Sequence, residues 1–426
     1  MHLGIIVVLL YIIGIERKIS RSKLLEVMIY FIVIATLSYI SIYYFPLSSD
    51  EILYNLCRAD LDPKSPILQC PDYSHNQFVQ FTKLVFFIGG GSAFSLLSIG
   101  YAFIYISCDL ISRTFTEDVR LREKVFRITL FFPPVLYFGL RPKKEAVIVL
   151  LVSLVSFFIS KPKSIQRVVL LIPTLIGLYL MRWQFMVGAL FSIGVFFAIK
   201  YLLTVSRRKL YGLLAASVLA STLLGYFFKD PVLKKLNDTI FYYNNVTILA
   251  YTTNGALIYR FMMFDVGETT LQPWNVFVAQ IGGIITPHPL RVIKEYQRDG
   301  EIKYHVLEEF LYITSWFFLL MPVFFLFLKD KIFMSFKNAR ETFVFQTIFS
   351  FTILGLASMS LLYHTPQHFR YRLPMHLFFF MAIIFYLSEK NSQEILDRLK
   401  QEWIRISFYF VILTIYSVAY LGIEPT

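Results

Sequence analysis

The sequence predicts an all-α polytopic integral membrane protein, and three observations carry that reading. Of 426 residues, 57% are hydrophobic and only 16% are charged, whereas soluble domains carry about 25% charged residues. Mean hydropathy is +0.61. Five apolar runs, Leu24–Phe45, Phe81–Ser107, Leu210–Phe228, Phe310–Leu328 and Phe343–Tyr363, reach the length of about 18 residues that crosses a bilayer. The alternating pattern of a membrane barrel is absent, so each span is expected to be a helix, which satisfies its own backbone in lipid.

Charge supplies the topology. The net charge of +13 would fit a nucleic-acid binder if it were spread over one face. Instead, more than half of the 41 basic residues fall in six short clusters between apolar runs. These are Arg17/Lys18/Arg21/Lys23, Arg113/Arg120/Arg122/Lys124/Arg127, Lys161/Lys163/Arg167, Arg207/Arg208/Lys209, Lys329/Lys331/Lys337/Arg340 and Lys390/Arg398/Lys400/Arg405. Consecutive clusters are separated by a helical hairpin or by one long excursion, so a single topology places all six in the cytoplasm, as the positive-inside rule requires.

The spans then follow in order: 3–15, 24–45, 81–107, 125–140, 145–160, 168–181, 183–203, 210–228, 309–328, 342–363, 373–387 and 406–422. That is a bundle of about 11–12 transmembrane helices forming a single domain over 1–426, with both termini outside. The first span is short. No small-residue cleavage site follows it, since Glu16-Arg17-Lys18 comes next, so it reads as a retained helix rather than a removed signal. Residues 389–405 are charged and helix-forming, and read as an amphipathic helix at the cytoplasmic surface.

The opposite face carries a first outer loop, 46–80, and a long outer loop, 229–307. Segments this long between elements are usually functional. Within the second, Val276–Ile285 is apolar but too short to span, and reads as a re-entrant or interfacial stretch. Cys57 and Cys70 share the first outer loop, where an oxidising compartment permits a disulfide, and both a bonded and a free pair stay open. The third cysteine, Cys108, lies near a cytoplasmic helix end.

An ionisable group at membrane depth is costly and marks a candidate site. Asp50 and Glu51 follow the second span. Arg141, Lys143, Lys144 and Glu145 lie between two apolar runs. Arg182 interrupts Leu180-Met181-Arg182-Trp183, and Arg370 and Arg372 precede another span. All fall on the outer face, in loops where the positive-inside rule disfavours basic residues. Each alone has a plain reading: a solvated helix end for the acidic pair, lysines reaching to headgroups, an arginine paired for structure. Together they compose an anion site. Arginine grips phosphate through two parallel charge-assisted hydrogen bonds, and a carboxylate can take the proton of an attacking sugar hydroxyl.

This pattern resembles the GT-C superfamily of membrane glycosyltransferases, and within it the polysaccharide-polymerase-type (Wzy-like) proteins of surface-glycan pathways. The matching pieces are Asp50-Glu51-Ile52-Leu53-Tyr54, Phe131-Phe132-Pro133-Pro134 through Arg141-Pro142-Lys143-Lys144-Glu145, and Arg182 at an outer helix end. Thr286-Pro287-His288-Pro289 with Glu308-Glu309, and Arg370-Tyr371-Arg372-Leu373-Pro374, complete the set. They are spread over most of the chain, and their order and shared face carry the weight, since each motif is short and common.

The resemblance implies a GT-C-like transferase or oligosaccharide repeat-unit polymerase in the inner (plasma) membrane. It would use a polyprenyl-phosphate- or diphosphate-linked saccharide and an acceptor glycan on the periplasmic or extracellular side. Asp50 or Glu51 would serve as the catalytic base. Arg141, Lys143, Lys144, Glu145, Arg182, His288, Arg370 and Arg372 would bind substrate. The sequence departs from the pattern in showing no soluble domain after its last span, and Asp60, Asp62 and Asp72 compete as a second carboxylate.

No cofactor is expected, because a lipid donor needs no nucleotide-binding loop and no GxGxxG or Walker sequence occurs. No metal is expected either: His364 and His368 are spaced i, i+4 across Pro366, which opposes a regular helix. The rival readings are a transporter or flippase of lipid-linked saccharides, and a non-catalytic assembly protein. A carrier would place its site near the midplane, often between repeated halves; the charges here collect at one face, and no repeat is found.

The topology is testable by cysteine labelling in intact cells. An impermeant thiol reagent should modify Ser74→Cys and leave Ser164→Cys untouched, above the background of the native cysteines. Reversed labelling would invert every assignment made from the basic clusters.

Overall fold

A computed structural model of the chain describes residues 2–44, 77–90, 93–115, 118–141, 144–160 and 165–202, the helical positions 377, 380, 381 and 384, and residues 397–408 and 411–412. Among these the regular structure is helical throughout, with no strand. Eight helices run in chain order: α1 (His2–Glu16), α2 (Arg21–Tyr44), α3 (Gln77–Ile88), α4 (Ala93–Phe115), α5 (Val119–Leu130), α6 (Pro133–Leu140), α7 (Glu145–Ser160) and α8 (Ile165–Leu202). They divide between two compact units. Of the described residues, the first unit holds those up to Met186 together with 377, 380, 381, 384 and 397–408, and the second holds Val187–Leu202 and 411–412.

Two helices contain stretches long and apolar enough to cross a membrane, Arg21–Ser41 in α2 and Phe94–Thr114 in α4. Their environments differ. Of its apolar window, α4 buries 78% and α2 only 33%. Leu25, Met28, Ile29, Ile32, Ile40 and Tyr43 of α2 are exposed.

The first unit is built around α4, which touches α1, α2, α3, α5, α6 and α7. Helix α1 lies parallel to it. The Gly4 amide donates to Ser98 Oγ at 3.3 Å, the Tyr11 hydroxyl donates to Asp109 Oδ2 at 2.7 Å, and Arg113 Nη2 meets Glu16 Oε1 at 3.3 Å. Glycine is required at position 4, because a Cβ there would overlap the Ser98 carbonyl. Helix α2 runs the other way: Arg127 Nε meets Glu26 Oε1 at 2.9 Å near its start, and the Tyr30 and Tyr101 hydroxyls bond midway. The first two basic clusters therefore gather at one end of this unit, as the sequence predicts.

Hydroxyls within the apolar helices bond back to their own carbonyls. Ser107 donates to Phe103 O at 2.6 Å, Ser153 to Val149 O at 2.7 Å and Ser156 to Val152 O at 2.9 Å. Such local bonds satisfy a polar group where no water reaches it.

Two expected spans are each broken. Span 81–107 is divided into α3 and α4 at Gly89-Gly90. Gly90 has φ +67°, a left-handed conformation that glycine reaches without penalty. The Gly89 amide caps Val85 O at 2.9 Å, while Ser95 Oγ donates to the Gly89 carbonyl at 3.2 Å. Span 125–140 is divided into α5 and α6. Pro133 pushes the preceding Phe132 out of helical geometry, to φ −65° and ψ 124°, as the pyrrolidine ring does to any residue before it. Helix α5 begins at Asp118, whose carboxylate caps the Arg120 amide at 2.9 Å.

Four described residues from late in the chain also belong to the first unit. Leu377, Phe380, Met381 and Ile384 are buried at helical spacing, and Phe380 stacks on Phe132 with ring centroids 3.8 Å apart. Residues 397–408 are helical, while 389–396 of the expected amphipathic stretch lie outside the described residues. Leu399, Glu402 and Ile406 are buried along one stripe, while Trp403 and Ile404 are exposed.

The Gly4 contact yields a stability test. Gly4→Ala should lower stability by about 1–3 kcal/mol, the cost of overpacking against backbone. Gly14→Ala, with nothing within 4 Å of a Cβ, should raise it by up to about 1 kcal/mol through helix propensity. Unfolding midpoints in detergent compare the two. Equal shifts would mean that α1 is not seated against Ser98.

Candidate functional site

Two of the charges singled out in the sequence, Glu145 and Arg182, meet in space. Glu145 opens α7, where amides left without helical partners favour a negative side chain. Lys144 stands just before it, and its carbonyl accepts from the Val147 and Ile148 amides at 3.1 and 3.2 Å. Arg141 ends α6 with extended backbone, at φ −118° and ψ 145°. It is 1% exposed, and its guanidinium lies 6.0 Å from the Tyr137 ring centroid, within reach of a cation–π attraction.

Arg182 comes from α8. The backbone there leaves helical geometry at this one residue, with φ −165° and ψ 100°. The two spans expected over 168–181 and 183–203 thus meet at Arg182 without a loop. The first half of α8 packs antiparallel to α7: a Cβ on Gly177 would lie 3.2 Å from Leu151, and Arg182 meets Glu145. Arg182 Nη2 and Glu145 Oε1 are 3.7 Å apart, with side chains 11% and 3% exposed.

The position of this pair in the unit is set by α3. Phe78, Val79, Val85 and Phe86 pack with Leu96 and Ile99 of α4, and Leu3, Val147 and Met181 close over them. The neighbours of Glu145 and Arg182 therefore share the Gly4–Ser98 end of the unit, opposite the Glu16–Arg113 end. A cavity of about 800 Å3, mostly apolar, opens at that same end between α1, α2 and the α3–α4 turn. Ile6, Thr36, Tyr39, Ile88 and Phe94 are among the residues lining it.

Of the other candidates, Asp50, Glu51, Lys143, His288, Arg370 and Arg372 lie outside the described residues, as do Cys57 and Cys70. Cys108 is described, and is a free, buried thiol in the middle of α4 packing. Among the described residues no group of three His, Cys, Asp or Glu side chains is placed to hold a metal ion.

Sequence reasoning missed one ionisable cluster. Asp109 lies beyond the expected end of its span at 107, yet it sits within the apolar Phe94–Thr114 stretch. Its carboxylate accepts from Arg113 Nε at 2.6 Å and from Tyr11 at 2.7 Å. The signal was present as Asp109-Leu110-Ile111-Ser112-Arg113, an i, i+4 acid–base pair on one helix face. All of its ionic partners are at the basic end, so it belongs to the seam between α1 and α4 rather than to the Glu145–Arg182 site.

A double-mutant cycle measures the pair. Glu145→Gln and Arg182→Gln should each destabilise, and the double variant should lose less than the sum, leaving a coupling of about 0.5–3 kcal/mol. Denaturant unfolding in detergent reads it, and strict additivity would mean that the two charges do not interact.

Against protein-family models, curated proteins and solved structures, the chain finds no match.

Proposed function

We propose that this chain is a membrane glycosyltransferase or oligosaccharide repeat-unit polymerase. It would take its sugar from a polyprenyl-(di)phosphate carrier on the outer face, within a GT-C-like bundle of about 11–12 transmembrane helices. The observation that carries the reading is the meeting of Arg182, at the break of α8, with Glu145, at the start of α7. Arg141, buried at the end of α6, stands shortly before Glu145 in the chain. Guanidinium groups at a helix break, shielded from water, suit the two-point capture of a phosphate or diphosphate. The neighbouring apolar cavity offers a wall along which part of a prenyl chain can lie.

In this mechanism the acceptor hydroxyl attacks the anomeric carbon of the donor sugar. A C–O bond forms there as the bond from that carbon to the phosphate oxygen breaks. The phosphate leaves with the electron pair, its growing charge held by Arg182 and Arg141. Asp50 accepts the hydroxyl proton. A positioned base of this kind contributes typically about 10²–10⁴-fold. Asp50 and Glu51 are adjacent, so on a helix end they would point about 100° apart, which leaves Glu51 to orient a basic partner.

A second reading, transport of a lipid-linked saccharide, draws support from one observation, the interruption of a helix at a charged residue. Carriers use such broken helices to hold their substrates.

Transfer of a labelled lipid-linked sugar in purified membranes separates the readings. Arg182→Ala and Arg372→Ala should abolish product while the protein remains inserted. Lysine at either position should rescue poorly, since an ammonium lacks the planar fork. Asp50→Asn should lose rate and keep donor binding, at about 1.4 kcal/mol of transition-state stabilisation per tenfold. Full transfer activity in both arginine variants would remove the proposal. Absence of transfer by the wild type, with substrate nonetheless crossing the membrane, would favour the carrier.

A further inference from the structure

We propose that Glu145 is the resident counter-anion of this site: it holds Arg182 until a phosphate group takes its place, and then gives the guanidinium up. The inference rests on the anion-site reading above, and asks what a carboxylate is doing inside a site built for anions.

Three observations converge on it. The Glu145 Oε1 to Arg182 Nη2 separation of 3.7 Å exceeds the roughly 2.7–2.9 Å of a close charge-assisted hydrogen bond. The two groups attract each other without the bidentate grip that would lock them. Second, Glu145 is the first residue of α7. Its carboxylate therefore has a second electrostatic anchor, the helix amino terminus, and can remain seated when Arg182 turns to another anion. Third, Arg182 is the one residue of α8 outside helical geometry. Its side chain therefore leaves the helix at a kink rather than along a regular helical face.

The competition follows from charge and shape. A phosphate monoester or diphosphate brings more negative charge than one carboxylate, and matches the planar guanidinium fork as well or better. The carboxylate and the phosphate exclude each other at Arg182. Each weakens the other by the same factor, and deleting the carboxylate must strengthen phosphate binding. Glu145 is on this reading a positioning residue. It keeps Arg182 ionically satisfied and poised in a place where an unpaired buried charge is costly.

The test uses the full-length chain in nanodiscs of zwitterionic lipid. Polyprenyl monophosphate is introduced into the disc, or inorganic pyrophosphate into the buffer, which distinguishes a lipid headgroup from a soluble phosphate as the source of the ligand. Glu145→Gln should bind the probe that wild type binds about tenfold more tightly. Glu145→Asp, whose shorter side chain pulls back from Arg182, should shift affinity in the same direction by less. A purely structural role predicts weaker binding, never a gain. A folded Glu145→Gln protein that binds no tighter than wild type overturns the counter-anion role and leaves the anion site standing. Should the Gln variant not fold, the Asp variant decides by the same criterion. Arg182→Ala should lose binding; wild-type affinity in that variant, or no binding of either probe to the wild type, overturns the anion site and the counter-anion together.

Discussion

The carboxylate of Asp109 constrains the first unit more than any other single group. It sits in a stretch apolar enough to cross a membrane, where an unpartnered charge would be untenable. Tyr11 and Arg113 answer it directly, and Arg113 reaches on to Glu16. Those contacts fix the register of α1 on α4, and that register brings Gly4 against the Ser98 carbonyl at the far end. With α1 seated, Leu3 closes over the cluster formed by α3 and α4, and Val147 and Met181 close over the same cluster. The placement of Glu145 and Arg182 thus rests on a charge network at the other end of the same helices.

Much of this was legible in the sequence because lipid-type composition leaves few choices. Apolar runs had to be helices, and the basic clusters had to share an end; the first two do. Arg182 stood out as a charge within an apolar stretch, and it does mark a break. What misled was reading each apolar run as one uninterrupted rod. Hydropathy is blind to backbone conformation. Gly89-Gly90-Gly91 and Phe132-Pro133 are apolar enough to pass as span, yet one contains a left-handed residue and the other forbids helix before the ring. Both were visible as letters, and both are decided by local sterics rather than by hydrophobicity.

Asp109 was missed for a related reason. A span boundary drawn at Ser107 left the aspartate outside the span, while the helix runs on to Phe115. Nor could periodicity disclose the meeting of Glu145 and Arg182. Arg182 reaches Glu145 through the antiparallel return of α8 on α7, where Gly177 lies close against Leu151. Such tertiary contacts depend on which small residue lies opposite which large one, information that a single helix's pattern does not hold.

The stacking of Phe380 on Phe132 bears on how the protein is made. Chains emerge from the ribosome amino terminus first, and domains tend to fold in that order. Here well over half of the chain separates the two rings. One face of Phe132, at the proline break leading to Arg141, therefore has to wait for a segment synthesised late. During that interval the early helices form a nascent assembly with an unfilled aromatic seat. Synthesis halted before residue 380 would leave that seat permanently vacant, exposing a sticky surface for quality-control proteases to recognise.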